Sequence, residues 1–249
     1  MLRRALTCAD RYVPLDDRAA VRTVIADAAL SAAGALSVPG PLRRALLAGF
    51  AASAQTHAHL AIVRALVDGD VSAAVDVSID GFGGVDLTLR AALVRALAVR
   101  GLARPADLAA LTEADPVAGR PLRARCEATR PDPAAKEAAW IAALDERTPQ
   151  SLARAHAEGI WIVGQESLLT RYLDRYFTEA LPALSARDAR GDRLAARLAD
   201  LLFPVTLDEG ATAAAVRAAL DAGSLTDRLR TILRTQEAEL RTAADVRPA

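Results

Sequence analysis

Residues 165–184, with the sequence QESLLTRYLDRYFTEALPAL, form the stretch that decides the fold class of this chain. Its apolar side chains recur three or four residues apart, which places them on one stripe of an α-helix. The stripe comprises Leu168, Leu169, Tyr172, Leu173, Tyr176, Phe177, Ala180, Leu181 and Leu184. The opposite face carries Arg171, Asp174, Arg175, Thr178 and Glu179. This pattern predicts an amphipathic helix that packs its apolar side against a protein core.

The composition extends the helical prediction to the whole chain. Of the 249 residues, 59 are alanine and 35 are leucine, both strong helix formers. Aromatic residues, which favour strands, amount to only 4%. The apolar fraction of 52% argues against disorder. We therefore expect a folded, all-α protein.

Charge and hydropathy argue against two classes of partner. The 31 basic and 31 acidic residues give zero net charge, whereas a nucleic-acid binder normally has a basic excess. The sequence contains no run of about 18 apolar residues, so it predicts no membrane span. Cys8 and Cys126 have no metal-like spacing, and two thiols suit a reducing compartment. We expect a cytoplasmic protein without nucleic-acid or membrane partners.

Helix start and stop signals recur along the chain. Thr56 and Gly69 bracket one predicted helix, and Asp86 and Gly101 bracket another. Three more helices are predicted where a capping residue precedes a proline at the first helical position. These pairs are Asp115-Pro116, Asp132-Pro133 and Thr148-Pro149.

The spacing of these elements predicts an array of helix pairs. Short connections make neighbouring helices antiparallel, and a period of about 40 residues is typical of HEAT and armadillo repeats. The expected architecture is a superhelical α-solenoid that forms one domain over residues 1–249. The stretch 75–85, which contains Asp-Gly-Phe-Gly-Gly, is the possible seam.

Residue patterns typical of catalysis are absent from the sequence. It contains no HExxH, no GxSxG and no Walker A motif. His57 and His59 are two residues apart, so they point to different faces of a helix and predict no metal site. A set of arginines is expected to form solvated faces paired with acids, and the alternative is that it holds carboxylates by bidentate pairing. The set comprises Arg120, Arg123, Arg125 and Arg130.

Several segments in the middle of the chain resemble one family when they are taken in order. They are residues 114–120 (ADPVAGR), 124–140 (ARCEATRPDPAAKEAAW), 159–165 (GIWIVGQ), 168–177 (LLTRYLDRYF) and 202–204 (LFP). Lys136, the only lysine, stands ahead of Trp140 as the family's lysine stands ahead of its tryptophan. In order and spacing these segments resemble the C-terminal helical domain of actinobacterial aminopeptidase N, a gluzincin zinc metallopeptidase.

This resemblance implies a HEAT-like array that packs over a catalytic domain and caps the active-site chamber. In the family, the zinc ligands and the general base belong to that other domain. The resemblance therefore implies no catalytic or metal-binding residue in this chain, zinc only in the full-length enzyme, and no activity of the chain alone. The implied partners are the catalytic domain of the same polypeptide and the peptide substrate. The candidates for contact with the peptide are Trp161, Gln165 and Arg171, at a loop–helix junction.

Two other functions remain open at this point. One is a free-standing α-solenoid scaffold that binds a peptide or a protein on its concave face. The other is an all-helical enzyme or small-molecule sensor, for which an apolar cavity near Trp161 and Tyr172 would be the best sign.

Overall fold

The regular secondary structure of the chain is helical wherever the structure defines it. The computed structural model describes residues 2–35, 39–70, 85–207 and 209–246. No strand occurs in these segments, so the all-α prediction is confirmed for them. None of the described helices is long and apolar enough to cross a membrane.

The chain divides into two compact units, Met1–Cys126 and Glu127–Ala249. The arrangement of the helices as one HEAT-like repeat domain over residues 1–249 stays a prediction. The possible seam at residues 75–85 lies outside the described residues, except for Val85.

The first unit is built around α3, which packs against α2 and α5, while α4 also packs against α5. Its helices are α1 (Leu2–Tyr12), α2 (Leu15–Gly34), α3 (Gly40–Ser53), α4 (His57–Asp68), α5 (Leu87–Val99), α6 (Pro105–Ala114) and α7 (Gly119–Ala128). The last two residues of α7 belong to the second unit. Large apolar side chains fill the core, among them Leu47, Phe50, Leu66, Leu93 and Leu97.

The second unit is built around α13, which packs against α9, α12 and α15. Its helices are α8 (Pro133–Leu144), α9 (Gln150–Ile160), α10 (Glu166–Leu169), α11 (Arg171–Arg175), α12 (Leu181–Ala189), α13 (Arg193–Leu201), α14 (Glu209–Asp221) and α15 (Asp227–Val246). Aromatic side chains occupy the centre of its core, namely Trp140, Tyr172, Tyr176 and Phe203.

The deciding stretch 165–184 buries six of the nine residues of the predicted stripe and partly buries Leu168, Leu173 and Phe177. It is not one regular helix. A π-helical turn, Tyr176–Ala180, separates α11 from α12. Within it, the N–H of Leu181 donates to the carbonyl of Tyr176, five residues earlier. Pro182 has no N–H to offer the carbonyl of Thr178, so the regular ladder is interrupted here. The π-helical turn, which is wider than an α-helical turn, lies directly before the position where Pro182 interrupts the ladder.

Local capping signals correctly place several helix ends. The Thr56 hydroxyl accepts the N–H of His59 at 3.1 Å, and Gly69 ends α4 with a φ of 85°. Asp86 accepts the N–H of Leu89 at 2.8 Å at the start of α5. The carboxylate of Asp132 likewise accepts the N–H of Ala134 at 3.0 Å at the start of α8.

The other two proline pairs differ from the prediction. The Asp115 carboxylate accepts the N–H groups of Val117 and Ala118 at 2.8 and 2.9 Å, and these bonds lower its pKa. It therefore stabilises a turn, and α7 begins only at Gly119. Pro149 is itself the cap of α9, so Thr148 lies one residue too early to serve as the cap.

The close approach of α6 explains the glycine at position 119, in the 114–120 segment. A Cβ atom at this position would lie 1.9 Å from the carbonyl oxygen of Leu111, in α6. The obstacle is backbone, which cannot rotate away as a side chain can. Glycine therefore allows the turn at Asp115 to bring α7 directly against α6.

We expect Gly119→Ala to lower the free energy of unfolding by about 3 kcal/mol, because the clash is with backbone. Gly49→Ala is the matched control. There the nearest atom is the flexible end of Leu2, at 2.6 Å, and alanine also favours the helix. Urea denaturation followed by circular dichroism measures both. Equal effects of the two substitutions would contradict the backbone contact.

Candidate functional site

The predicted contact residues lie on and just after the loop that joins α9 to α10. This loop runs from Trp161 to Gln165 and turns at Gly164, where φ is 88°. The carboxylate of Glu166 accepts the N–H of Gly164 at 2.8 Å, which closes the turn. The loop is therefore short and internally hydrogen-bonded.

The side chain of Lys136, on α8, anchors the residues that lead into this loop. Its side chain is fully buried. The ammonium donates to the carbonyls of Ala128 at 2.8 Å, Ile160 at 2.9 Å and Gly159 at 3.2 Å. Ala128 is the last residue of α7, and the other two end α9. The last carbonyls of a helix lack intrahelical partners and carry its negative dipole end, so one cation satisfies two helix ends.

Gln165 fastens the other end of the loop to the same place. Its side chain is buried, and its amide Nε2 donates to the carbonyl of Thr129 at 3.0 Å. Thr129 directly follows Ala128, which accepts from Lys136. Both ends of the loop are thus tied to the end of α7.

Trp161 closes a third helix end. Its indole N–H donates to the carbonyl of Leu202 at 2.8 Å, where α13 ends. The ring packs against the core of the second unit but keeps part of its surface exposed. The partly exposed ring is consistent with either a contact or a packing role.

Arg171 belongs to a separate group of side chains on α8 and α11, which we call the Glu137 group and which extends from the core to the surface. Arg175 and Arg171 donate to Glu137 Oε2 at 2.8 and 3.3 Å. The Tyr172 hydroxyl donates to the same oxygen at 3.0 Å and accepts from Arg171 at 2.7 Å. The Arg175 guanidinium also lies over the ring of Trp140, 5.3 Å from its centre. The group is Glu137, Arg171, Tyr172, Arg175 and Trp140.

The electrostatics of the Glu137 group follow from these contacts. The hydrogen bond from Arg175 lowers the pKa of Glu137, because it favours the charged carboxylate. Burial raises the pKa of the Tyr172 hydroxyl, which stays protonated and donates. About half of the Arg171 side chain remains exposed. Arg171 is therefore a cation that the Glu137 group orients at the surface.

The structure gives the three predicted contact residues different partners. Trp161 bonds to the end of α13, Gln165 to the residue after α7, and Arg171 to α8. Their role as contacts stays a prediction. Sequence reasoning did not foresee the helix-closing role of Lys136. The only signal in the sequence was that Lys136 is the sole lysine. The carbonyls that it bonds lie at the ends of α7 and α9, and only the tertiary structure brings these helix ends together.

The residues of this chain do not fit the zinc that the resemblance implies for a full-length enzyme. The sequence has no HExxH. In the segments that the structure describes, no group of three or more His, Cys, Asp or Glu side chains could hold a metal ion. No step through zinc can therefore be derived from these residues.

Comparison with known proteins points to one relative. No family model matches the chain. The chain is 32% identical over 197 residues to aminopeptidase N of Streptomyces lividans. The match covers 78% of this chain and 22% of that protein, so the chain spans about a fifth of the length of the curated relative it matches.

We expect Lys136→Met to lower the free energy of unfolding by about 3 kcal/mol or more. Three buried carbonyls would lose their donor, and each unsatisfied group costs about 1–3 kcal/mol. Urea denaturation measures the change, and amide hydrogen exchange in residues 161–165 should accelerate because the loop loses an anchor.

Arg147→Met is the control for replacing a long cation by methionine. Arg147 is exposed and bonds to Asp145, two residues away, so we expect no measurable loss of stability. Similar losses in the two variants, or unchanged exchange in the loop, would show that the Lys136 ammonium does not hold the helix ends.

Proposed function

We propose that this chain is a non-catalytic, C-terminal helical domain of a zinc-dependent aminopeptidase, an enzyme that releases N-terminal amino acids from peptides. The observation that carries the proposal is the 32% identity to part of an aminopeptidase N over most of the chain. The ordered segments between residues 114 and 204 support the same assignment, because single short motifs would be less specific.

In this proposal the domain caps the active-site chamber and contacts or gates the peptide. The catalytic domain of the same polypeptide supplies the zinc and the general base. The cysteine content favours a cytoplasmic location. Peptide and catalytic domain are the proposed partners.

The geometry of two of the three candidates supports a contact role. Trp161 and Arg171 combine exposed surface with fixed positions, which is what a selective contact needs. Gln165 is buried and already bonds to Thr129. Its role in the proposal is therefore to hold the loop in place.

The nucleotide sequence upstream of the Met1 codon tests the proposal directly. An open frame that continues upstream and encodes HExxH, with a glutamate further along, would support a domain of a peptidase. A stop codon followed by an independent start would contradict it and favour the free-standing α-solenoid scaffold. Recovery of a defined protein partner unrelated to a peptidase would strengthen that alternative.

We expect Trp161→Ala, placed in the polypeptide that carries the catalytic domain, to change the preference for peptide length more than the cleavage of a small arylamide. The arylamide does not extend beyond the first residues, so it serves as the internal control. The measurement is kcat/KM for a series of peptides of increasing length. Equal effects on peptides and arylamide would refute the contact role.

A further inference from the structure

Arg171 has hydrogen-bond donors that the described part of the chain does not use. All of its hydrogen bonds to described residues leave from one nitrogen, Nη2. The acceptors are the Tyr172 hydroxyl at 2.7 Å, Glu137 Oε2 at 3.3 Å and the carbonyl of Pro133 at 3.4 Å. A guanidinium carries five N–H groups, and two of them are on Nη2. The remaining N–H groups, on Nε and Nη1, have no acceptor among the residues that the structure describes.

These donors are open to solvent, which sets Arg171 apart from its neighbour Arg175. About half of the Arg171 side chain is exposed, against 26% for Arg175. Arg175 donates from Nε to Glu179 at 2.9 Å and from Nη1 to Glu137 at 2.8 Å. The donors of Arg175 are therefore occupied inside the protein, whereas those of Arg171 face a place that a ligand can reach.

The bonds at Nη2 hold the Arg171 guanidinium in one orientation. The carbon at its centre, Cζ, lies over the ring of Tyr172, 4.9 Å from the ring centre. Tyr172 is fully buried, so both its ring and its hydroxyl provide a fixed support. The carboxylate of Glu137 is closer to Arg175, at 2.8 Å, than to Arg171, at 3.3 Å. A side chain that is already ordered loses less conformational entropy when a ligand binds.

The chemistry of the free donors indicates the kind of group that they would bind. Charge-assisted hydrogen bonds from a guanidinium favour oxyanions, and carboxylates are the oxyanions that unmodified peptides carry. This inference rests on the proposed function, in which Arg171 contacts the peptide. We propose that Arg171 selects peptides by a carboxylate beyond their first residues, on an acidic side chain or at the C-terminus.

Three alanine-based peptides of equal length distinguish the two sources of the carboxylate. One has a glutamate and an amidated C-terminus, one has glutamine and a free C-terminus, and one has glutamine and an amidated C-terminus. Each is titrated into the full chain at constant ionic strength. Nuclear magnetic resonance of the arginine Nε–H groups follows Arg171, whose signal is assigned by its loss in Arg171→Gln. We expect a saturating shift with at least one of the carboxylate peptides and none with the neutral peptide.

Substitutions at this exposed position test whether the oriented guanidinium, rather than charge alone, binds the peptide. Arg171→Gln should weaken binding of the carboxylate peptide about fivefold, as expected for an exposed ionic hydrogen bond. Arg171→Lys should weaken it roughly threefold, because an ammonium keeps the charge but has neither the planar fork nor its fixed direction. Affinity of these variants is measured by calorimetry or by the shifts of neighbouring backbone amides.

Arg190→Gln is the matched control. Arg190 lies directly after α12, its side chain is 60% exposed, and it donates to Glu146 at 2.6 Å. The substitution removes the same charge from the same unit and should leave the affinity unchanged. Equal losses in Arg190→Gln and Arg171→Gln, full affinity in Arg171→Lys, or equal binding of the neutral peptide would each overturn the proposal.

A second measurement separates this proposal from the proposed function. In the polypeptide that carries the catalytic domain, kcat/KM for the glutamate peptide divided by that for its glutamine counterpart should exceed one if the side-chain carboxylate is recognised. The free and amidated C-termini are compared in the same way. Cleavage of all three peptides at equal rates would contradict the role of Arg171 alone. Saturable binding of a carboxylate peptide by a chain that has its own start codon would instead contradict the aminopeptidase assignment and leave the carboxylate site in place.

Discussion

Side-chain cations that close the carbonyl ends of neighbouring helices stabilise both units of this chain. Every helix leaves its last four carbonyls without intrahelical partners, and short helices multiply these ends. Alanine and leucine cannot satisfy them, so the donors come from other elements. Beyond Lys136, such contacts run from Arg43 to Ala35 at 3.1 Å and from Arg187 to Leu144 at 3.2 Å.

This constraint gives several of the thirty arginines a structural use. An arginine can bond an acid and a helix end at once, because its donors form a rigid fork. Arg22 reaches both Asp10 and the carbonyl of Ala52, in the last turn of α3. Arg187 joins Asp192 to the end of α8 in the same way. Each fork ties together elements that are distant in sequence.

The separation of the bonded residues along the chain decides what the sequence could predict and what it could not. Thr56, Asp86 and Asp132 bond to N–H groups two or three residues away, so their roles as caps were visible locally. The π turn before Pro182 interrupts a stripe whose spacing alone looked regular. The role of Lys136 depends on carbonyls 8 and 23–24 residues away, which only the tertiary structure brings together. Trp161 was recognised as a loop residue, but its bond to Leu202 spans 41 residues.

Lys136 and Arg95 are both enclosed cations, but their hydrogen-bond donors are satisfied to different extents. The Lys136 ammonium has three hydrogens, and three carbonyls accept them, so a ligand would have to displace a helix end. Arg95 has an enclosed Nε without an acceptor among the described residues. Burial lowers the pKa of Arg95, as do the charges of Arg125 and Arg22, while Cys126 and Asp10 oppose them. The acceptors that each donor finds, rather than burial or charge alone, therefore distinguish these two cations.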